Sequence, residues 1–171
     1  MTSLWTRRAL TGQSWIRPRP IGSIELRACL GEEELPVLAA IWKGAVQATH
    51  HFITDEDVTY YDQRIVVDYL PALDLTVAVR EGFAAGFSGL ENGKMEVLFV
   101  DDVHRGRGVG SALLRDAINR FPGLLLDVNV RNRQALAFYE AHGFVITGRS
   151  DTDADGRPFP LLHLAHITPS R

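Results

Sequence analysis

A single cysteine, Cys29, in 171 residues rules out an internal disulfide and any paired-cysteine metal site. Cys29 lies in an apolar, strand-like stretch with Leu26 and Leu30, the setting of a packed thiol rather than a nucleophile. No apolar run approaches the length that a membrane-spanning helix needs, so no membrane partner is expected. No Lys-Ser or Lys-Thr pair occurs, which excludes a Walker nucleotide loop. Acidic residues are absent from one segment. Residues 1–22 hold Arg7, Arg8, Arg17 and Arg19 and no acid; taking that +4 from the formal −3 of the chain leaves −7 for residues 23–171. An acidic body argues against a nucleic-acid partner and favours a cationic one, such as an amine. Residues 1–22 read as a flexible basic extension lacking the apolar centre of a secretory signal, and a cytoplasmic location is expected. With 46% apolar and 23% charged residues, the remainder, 23–168, reads as one soluble domain.

Hydrophobic periodicity divides that domain into short elements. Ser23 to Cys29 alternates as a half-buried strand, and Leu35, Leu38, Ala39, Trp42 and Val46 recur at helical spacing. Thr54 before Asp55, Glu56 and Asp57 is a helix start, since acids suit the exposed amides there. Val58, Tyr61, Ile65 and Tyr69 form that helix's inner face, and Pro71 ends it. Leu75–Val79, Phe83–Leu90 and Lys94–Val100 read as an antiparallel meander turned at Glu81-Gly82 and Asn92-Gly93. A helix through Leu113, Leu114, Ala117, Ile118 and Phe121 follows, then a strand at Leu124–Val130. A helix through Ala135, Phe138, Tyr139 and His142 is capped by Gly143, and strands at Phe144–Thr147 and Leu161–Ile167 close the domain. The order β-α-α-β-β-β-α-β-α-β-β predicts a mixed α/β sheet, not a doubly wound one.

Between the strand ending at Val100 and the helix opening near Gly110 lies Arg105-Gly106-Arg107-Gly108-Val109-Gly110-Ser111. Its glycines permit a tight turn and close approach to a ligand, and successive amides converge at a helix N-terminus that favours an anion. Arg105 and Arg107 add positive charge, so the implied chemistry is pyrophosphate binding. The glycine spacing does not fit the G-x-G-x-x-G dinucleotide fingerprint.

The loop does fit R-x-x-G-x-G, and at this point the chain resembles the GNAT (GCN5-related) family of N-acetyltransferases. Leu98-Phe99-Val100 matches the end of that family's fourth strand, and Asn132, Ala135, Phe138, Tyr139 and Gly143-Phe144 match its N-x-x-A-x-x-F-Y-x-x-x-G-F pattern. Asp102-Val103 departs from a proline common there. Thr49-His50-His51-Phe52 and Pro160-Leu161-Leu162-His163-Leu164 are similar to small stand-alone bacterial members linked to protein-lysine acetylation.

The resemblance implies the acyl-CoA N-acyltransferase fold over residues 23–167, its sheet splayed between strands four and five. It implies acetyl-CoA as acyl donor, with acetyl passed directly to a primary amine, either a protein lysine or a small molecule. Backbone groups of Leu98 and Val100 would hold the pantetheine arm, and an amide near Leu98–Phe99 would polarise the thioester carbonyl. The amides from Arg105 to Ser111 would hold the pyrophosphate, with Asn132 and Phe138 also against the cofactor. Tyr139 would protonate the leaving thiolate. The acceptor must lose a proton, and Glu96 is the side-chain candidate for that base; strand alternation places it on the face of Leu98. The position where some members carry their base is Lys94 here. His50 and His51 border the implied acceptor site and are assigned to substrate binding, while His104 reads as surface.

No metal is expected. Asp151-Thr152-Asp153-Ala154-Asp155-Gly156 imitates the start of a calcium loop, but Leu162 stands where a bidentate glutamate is required. It reads as an acidic hairpin loop that could attract a cationic acceptor. A non-catalytic acyl-CoA sensor on the same fold is the alternative to an enzyme. Self-association is left open.

Overall fold

A computed structural model describes residues 22–49 and 54–167. Residues 1–21, His50 and His51 lie outside the described residues. Seven strands form one sheet: β1 (Ile24–Ala28), β2 (Asp74–Arg80), β3 (Phe83–Glu91), β4 (Lys94–Val100), β5 (Leu125–Asn129), β6 (Phe144–Ser150) and β7 (Leu161–His166). Their spatial order is β1-β2-β3-β4-β5-β7-β6, and every neighbouring pair is antiparallel except β4 with β5.

Helices α1 (Leu35–Thr49) and α2 (Asp55–Arg64) cover one face; α3 (Val109–Arg120) and α4 (Arg133–Ala141) cover the other. On the first face Leu38, Trp42 and Val46 pack on Val77 and Phe87. On the second, Leu114 and Ala117 pack on Leu126, Val128 and Leu164. The middle of β2 is buried on both faces because two helical layers sandwich it. Burying such apolar side chains stabilises the domain by roughly 1.5–3 kcal/mol each.

Local chemistry explains the element ends. Thr54 caps α2 through a box in which its hydroxyl accepts from the Asp57 amide while Asp57 accepts from the Thr54 amide. The helix does not stop at Pro71: it passes through a π turn at Ile65–Tyr69 into a 3-10 turn at Leu70–Ala72, where proline fits the first positions. Glu81-Gly82 and Asn92-Gly93 both carry positive φ, as tight hairpin turns require.

Two features build the site. The β4–β5 ladder covers only Lys94 with Leu125 and Met95 with Leu126, after which the strands diverge. Gly86 on β3 lies under the start of α3, where an added Cβ would sit 2.7 Å from the Phe99 carbonyl oxygen and 3.0 Å from Val109. That close approach seats the helix N-terminus against the end of β4.

Candidate active site

After Val100 the chain makes a 3-10 turn at Asp102–His104, capped by the Asp101 side chain, which accepts from the Val103 amide. The backbone then turns back through Gly106 (φ 69°) and Gly108 (φ 84°) into α3. Gly108 is the N-cap in the left-handed region and supplies no side-chain cap. The amides of Val109, Gly110 and Ser111 therefore have no partner within the helix, whose first intrahelical bond runs from the Ala112 amide to the Gly108 carbonyl. No acid stands in the first turn. An open set of amides with an unopposed dipole is suited to an anion.

From this loop a cavity of about 450 Å³ runs along the end of β4 to α4. Leu98, Phe99, Val100, Arg105, Gly106, Gly108, Val109, Gly110, Ser111, Asn132, Phe138 and Tyr139 all line it. Arg105 reaches across the rim, its guanidinium 3.5 Å from Asp102 and 3.4 Å from the Gln134 side-chain oxygen. Val109 offers main chain only, because its side chain is buried against Ala78, Ala85 and Leu113. Asn132 caps α4, its side-chain oxygen accepting from the Ala135 amide at 3.0 Å. Arg107 departs from expectation: it is exposed and outside the lining, because the turns at its two glycine neighbours leave it pointing to solvent.

The divergence of β4 and β5 opens a second cavity of about 130 Å³, shared by Glu96, Asp127, Asn129 and Tyr139. Tyr139 lines both cavities, so it marks their junction. Its ring packs edge-on against Phe138 and Phe144, with centroids 5.2 and 5.6 Å apart. Burial pushes its phenol above the usual tyrosine value, so it remains a protonated donor.

Glu96 reaches the gap by a different route from the one simple alternation implies. Gly89 opposes Val97 and Leu90 opposes Met95, so the register skips Glu96 as the extra residue of a bulge. The bulge reverses the pleat, which is why Met95 and Leu98 pack in the same core. Glu96 pairs with Lys94 at 3.0 Å, and Lys94 pairs with Asp127 at 2.9 Å. Burial would lower the Lys94 ammonium, but hydrogen bonds and charge from Asp127 and Glu96 hold it above its ordinary value.

The residues fit an extended thioester cofactor: an anion cradle at one end of the first cavity, a neutral phenol where the two cavities meet, and the gap between the diverging strands beside it. The family profile described as acetyltransferase (GNAT) domain matches residues 71–146. The peptidyl-lysine N-acetyltransferase YjaB of Escherichia coli strain K12 is 43% identical over 136 residues, 79% of this chain and 92% of that protein. Its namesake in Salmonella typhimurium is 41% identical over 135 residues, 78% of this chain and 92% of that protein. The chain belongs to the GNAT acetyltransferase family. It is an N-acetyltransferase, and its acceptor is an amine. The solution structure of apo YjaB from Escherichia coli matches this GNAT fold with a TM-score of 0.78 at 40% identity, covering 85% of this chain and 98% of that one. PaiA N-acetyltransferase from Thermoplasma acidophilum, in complex with coenzyme A, shares the fold at TM-score 0.68 and 18% identity, over 85% and 99% of the chains.

Sequence reasoning missed several lining residues of this GNAT domain. Ala45 of α1, Gln134 and Ala135 line the first cavity. His104, expected at the surface, lines it too, and its Nδ1 is buried without a hydrogen-bond partner, 4.0 Å from Asp101. Asp127 stood between Leu126 and Val128 in an alternating strand, a signal that it faces away from the core those two residues enter. The acidic loop is not a free attractor of cations. Asp153 accepts from the Tyr61 hydroxyl at 2.6 Å, Asp155 accepts from the Tyr69 hydroxyl, and Arg157 pairs with Asp57 while stacking over Tyr60. Cys29 packs with the core on the α1 face, and burial pushes its thiol up.

Among the described residues no His, Cys, Asp and Glu group could hold a metal ion, and no helix is long and apolar enough to cross a membrane.

Proposed function

We propose that this GNAT enzyme transfers the acetyl group of acetyl-CoA directly to the ε-amine of a protein lysine, in the cytoplasm and without a metal. The observation that carries this reading is Tyr139 at the junction of two cavities, one ending at an anion cradle and the other lined by Glu96. Two relatives that cover most of the chain are named peptidyl-lysine N-acetyltransferases, which supports a lysine acceptor. The −7 charge of residues 23–171 favours a cationic one.

Acetyl-CoA supplies an activated acyl group and a thiolate leaving group. The amides of Val109, Gly110 and Ser111, with Arg105 at the rim, hold the pyrophosphate. Backbone groups of Leu98 and Val100 face the gap beyond the short β4–β5 ladder and hold the pantetheine arm. An amide at Leu98–Phe99 stabilises the charge developing on the carbonyl oxygen. Glu96 binds the acceptor ammonium and assists its deprotonation, which at neutral pH costs a lysine roughly 4–5 kcal/mol. Tyr139 gives its proton to the departing sulfur.

The test is incubation of the purified chain with acetyl-CoA and a panel of lysine peptides and free amines, following CoA release and product mass. Acetylated lysine peptides support the reading; turnover on free amines alone overturns the protein-lysine acceptor. Self-acetylation is easily scored, because the chain holds lysine only at positions 43 and 94.

A further inference from the structure

A chain of polar side chains crosses four strands, and two of its members, Glu96 and Asp127, line the second cavity. Asp127 lies between Leu126 and Val128, and His163 between Leu162 and Leu164; all four leucine and valine neighbours enter the α3/α4 core. Asp127 and His163 therefore project from the opposite face, where they are register partners on β5 and β7. His163 Nδ1 is 2.5 Å from Asp127 Oδ1, and its Nε2 is 2.6 Å from Ser150 Oγ on β6. On the other side Asp127 Oδ2 is 2.9 Å from Lys94 Nζ, which is 3.0 Å from Glu96.

The hydrogen bonds fix the proton positions in the neutral ring. Burial would raise the Asp127 carboxyl, but hydrogen bonds from His163 and Lys94 and the Lys94 charge outweigh it and keep it ionised. An ionised carboxylate only accepts, so Nδ1 carries the imidazole proton and Nε2 accepts from the Ser150 hydroxyl. The charged or titratable groups facing the ring are Asp127 from β5 and, beyond it, Lys94 and Glu96 from β4; β6 presents the Ser150 hydroxyl.

We propose that His163 is a positioning residue of the acetyl transfer, setting through Asp127 and Lys94 whether Glu96 is available to the acceptor's ammonium. This rests on the assignment of Glu96 to the acceptor made above. With His163 neutral, Glu96, Asp127 and Lys94 sum to one negative charge, which one ammonium complements. Lys94 is then shared between Asp127 at 2.9 Å and Glu96 at 3.0 Å, so Glu96 keeps charge to offer the acceptor. With His163 protonated, Asp127 is compensated by the imidazolium and the cluster is neutral. Lys94 then turns its charge to Glu96 and competes with the acceptor. Acid therefore weakens acceptor binding without touching the pyrophosphate cradle, which lies in the other cavity.

Two substitutions at one position separate this role from a structural one. In His163→Gln the ring charge is permanently absent, so the KM for a lysine peptide loses the rise on acidification expected of the wild-type chain. In His163→Lys a positive charge is permanent, so that KM is raised about fivefold at every pH, the scale of a partly exposed ion pair. The KM for acetyl-CoA stays constant in both. His166→Gln, a second imidazole of β7 bonded to the Pro122 carbonyl, keeps the wild-type profile. The proposal is overturned if both His163 variants raise the peptide KM alike, or if His163→Gln keeps the wild-type pH profile. A wild-type chain that acetylates no amine overturns the Glu96 assignment, and this proposal with it.

Discussion

His142, the C-cap of α4, ties α4 to the start of α3: its Nδ1 lies 2.8 Å from the Phe138 carbonyl oxygen and its Nε2 3.1 Å from the Ser111 hydroxyl. A carbonyl only accepts, so Nδ1 donates, and in the neutral ring Nε2 accepts the Ser111 hydroxyl proton. The hydroxyl is thereby committed to α4, and Ser111 is left to meet a phosphate through its backbone amide. Ser111→Ala is therefore expected to cost about 1 kcal/mol of stability, the scale of one such hydrogen bond. Acetyl-CoA affinity should stay within about threefold, since a lost phosphate contact from a neutral donor would cost more than that. Thermal melts and calorimetric titration of the two proteins check the division.

Gly108 allows strain and charge to be separated at one position. Its φ of 84° is disfavoured for any residue with a Cβ, yet an added Cβ would meet only Ile24, at 3.8 Å. Gly108→Ala is expected to lose about 1–2 kcal/mol of stability from the backbone alone, while retaining measurable cofactor binding. Gly108→Glu pays the same backbone cost and also places a carboxylate at the anion cradle. Like-charge juxtaposition costs several kcal/mol, so affinity should fall by at least about 100-fold. Equal affinities for the two variants would remove the pyrophosphate from this loop.

The turn at the glycine-rich loop, the strand before it and the Asn132–Tyr139 helix were legible as elements because each obeys a local rule: glycine at positive φ, alternation at the end of β4, and 3.6-residue periodicity in α4. The elements themselves emerged to within a few residues for the same reason. Glu96 shows where local reading ends. A bulge inserts one residue into the ladder, and alternation counted through it points the side chain the wrong way. The Asp127–His163–Ser150 line was equally hidden, since its members are 23 or more residues from Asp127 and meet only after β7 inserts between β5 and β6. The acidic loop misled for a third reason. Its aspartates look free in sequence, but tyrosines of α2 and its extension, far away along the chain, reach them.

That loop supplies a stability prediction with a definite pH sign. Burial would raise the Asp57 carboxyl, but hydrogen bonds from the Thr54 hydroxyl and amide, and from Arg157, hold it below the usual aspartate range. A folded-state value below the unfolded one means that its contribution is complete above about pH 4 and is lost as pH falls through the folded value. Asp57→Ala removes the capping box and the Arg157 partner together, and is expected to cost about 1–3 kcal/mol at pH 7. The difference from wild type should shrink on acidification below pH 4. Urea midpoints at pH 7 and pH 3 measure both quantities, and a gap that widens in acid would contradict the assignment.

Tyr139→Phe isolates one hydroxyl in a site whose packing is otherwise unchanged. The ring contacts to Phe138 and Phe144 are kept, so the cleft and its cofactor affinity should survive, with the acetyl-CoA KM moving less than about threefold. General-acid catalysis is worth about 100-fold or more, and kcat should fall by that factor if the phenol protonates the leaving sulfur. Linkage provides an independent check that the phenol is the buried, neutral group described here. Its folded value lies above the unfolded one, so the stability it contributes is intact below about pH 10 and is lost as pH rises beyond it. The wild-type chain should therefore lose stability between pH 9 and pH 11 by more than Tyr139→Phe does. A variant with unchanged kcat would remove Tyr139 from the chemistry while leaving it in the core. A variant with the wild-type alkaline stability loss would instead show that the phenol is already solvated in the free enzyme.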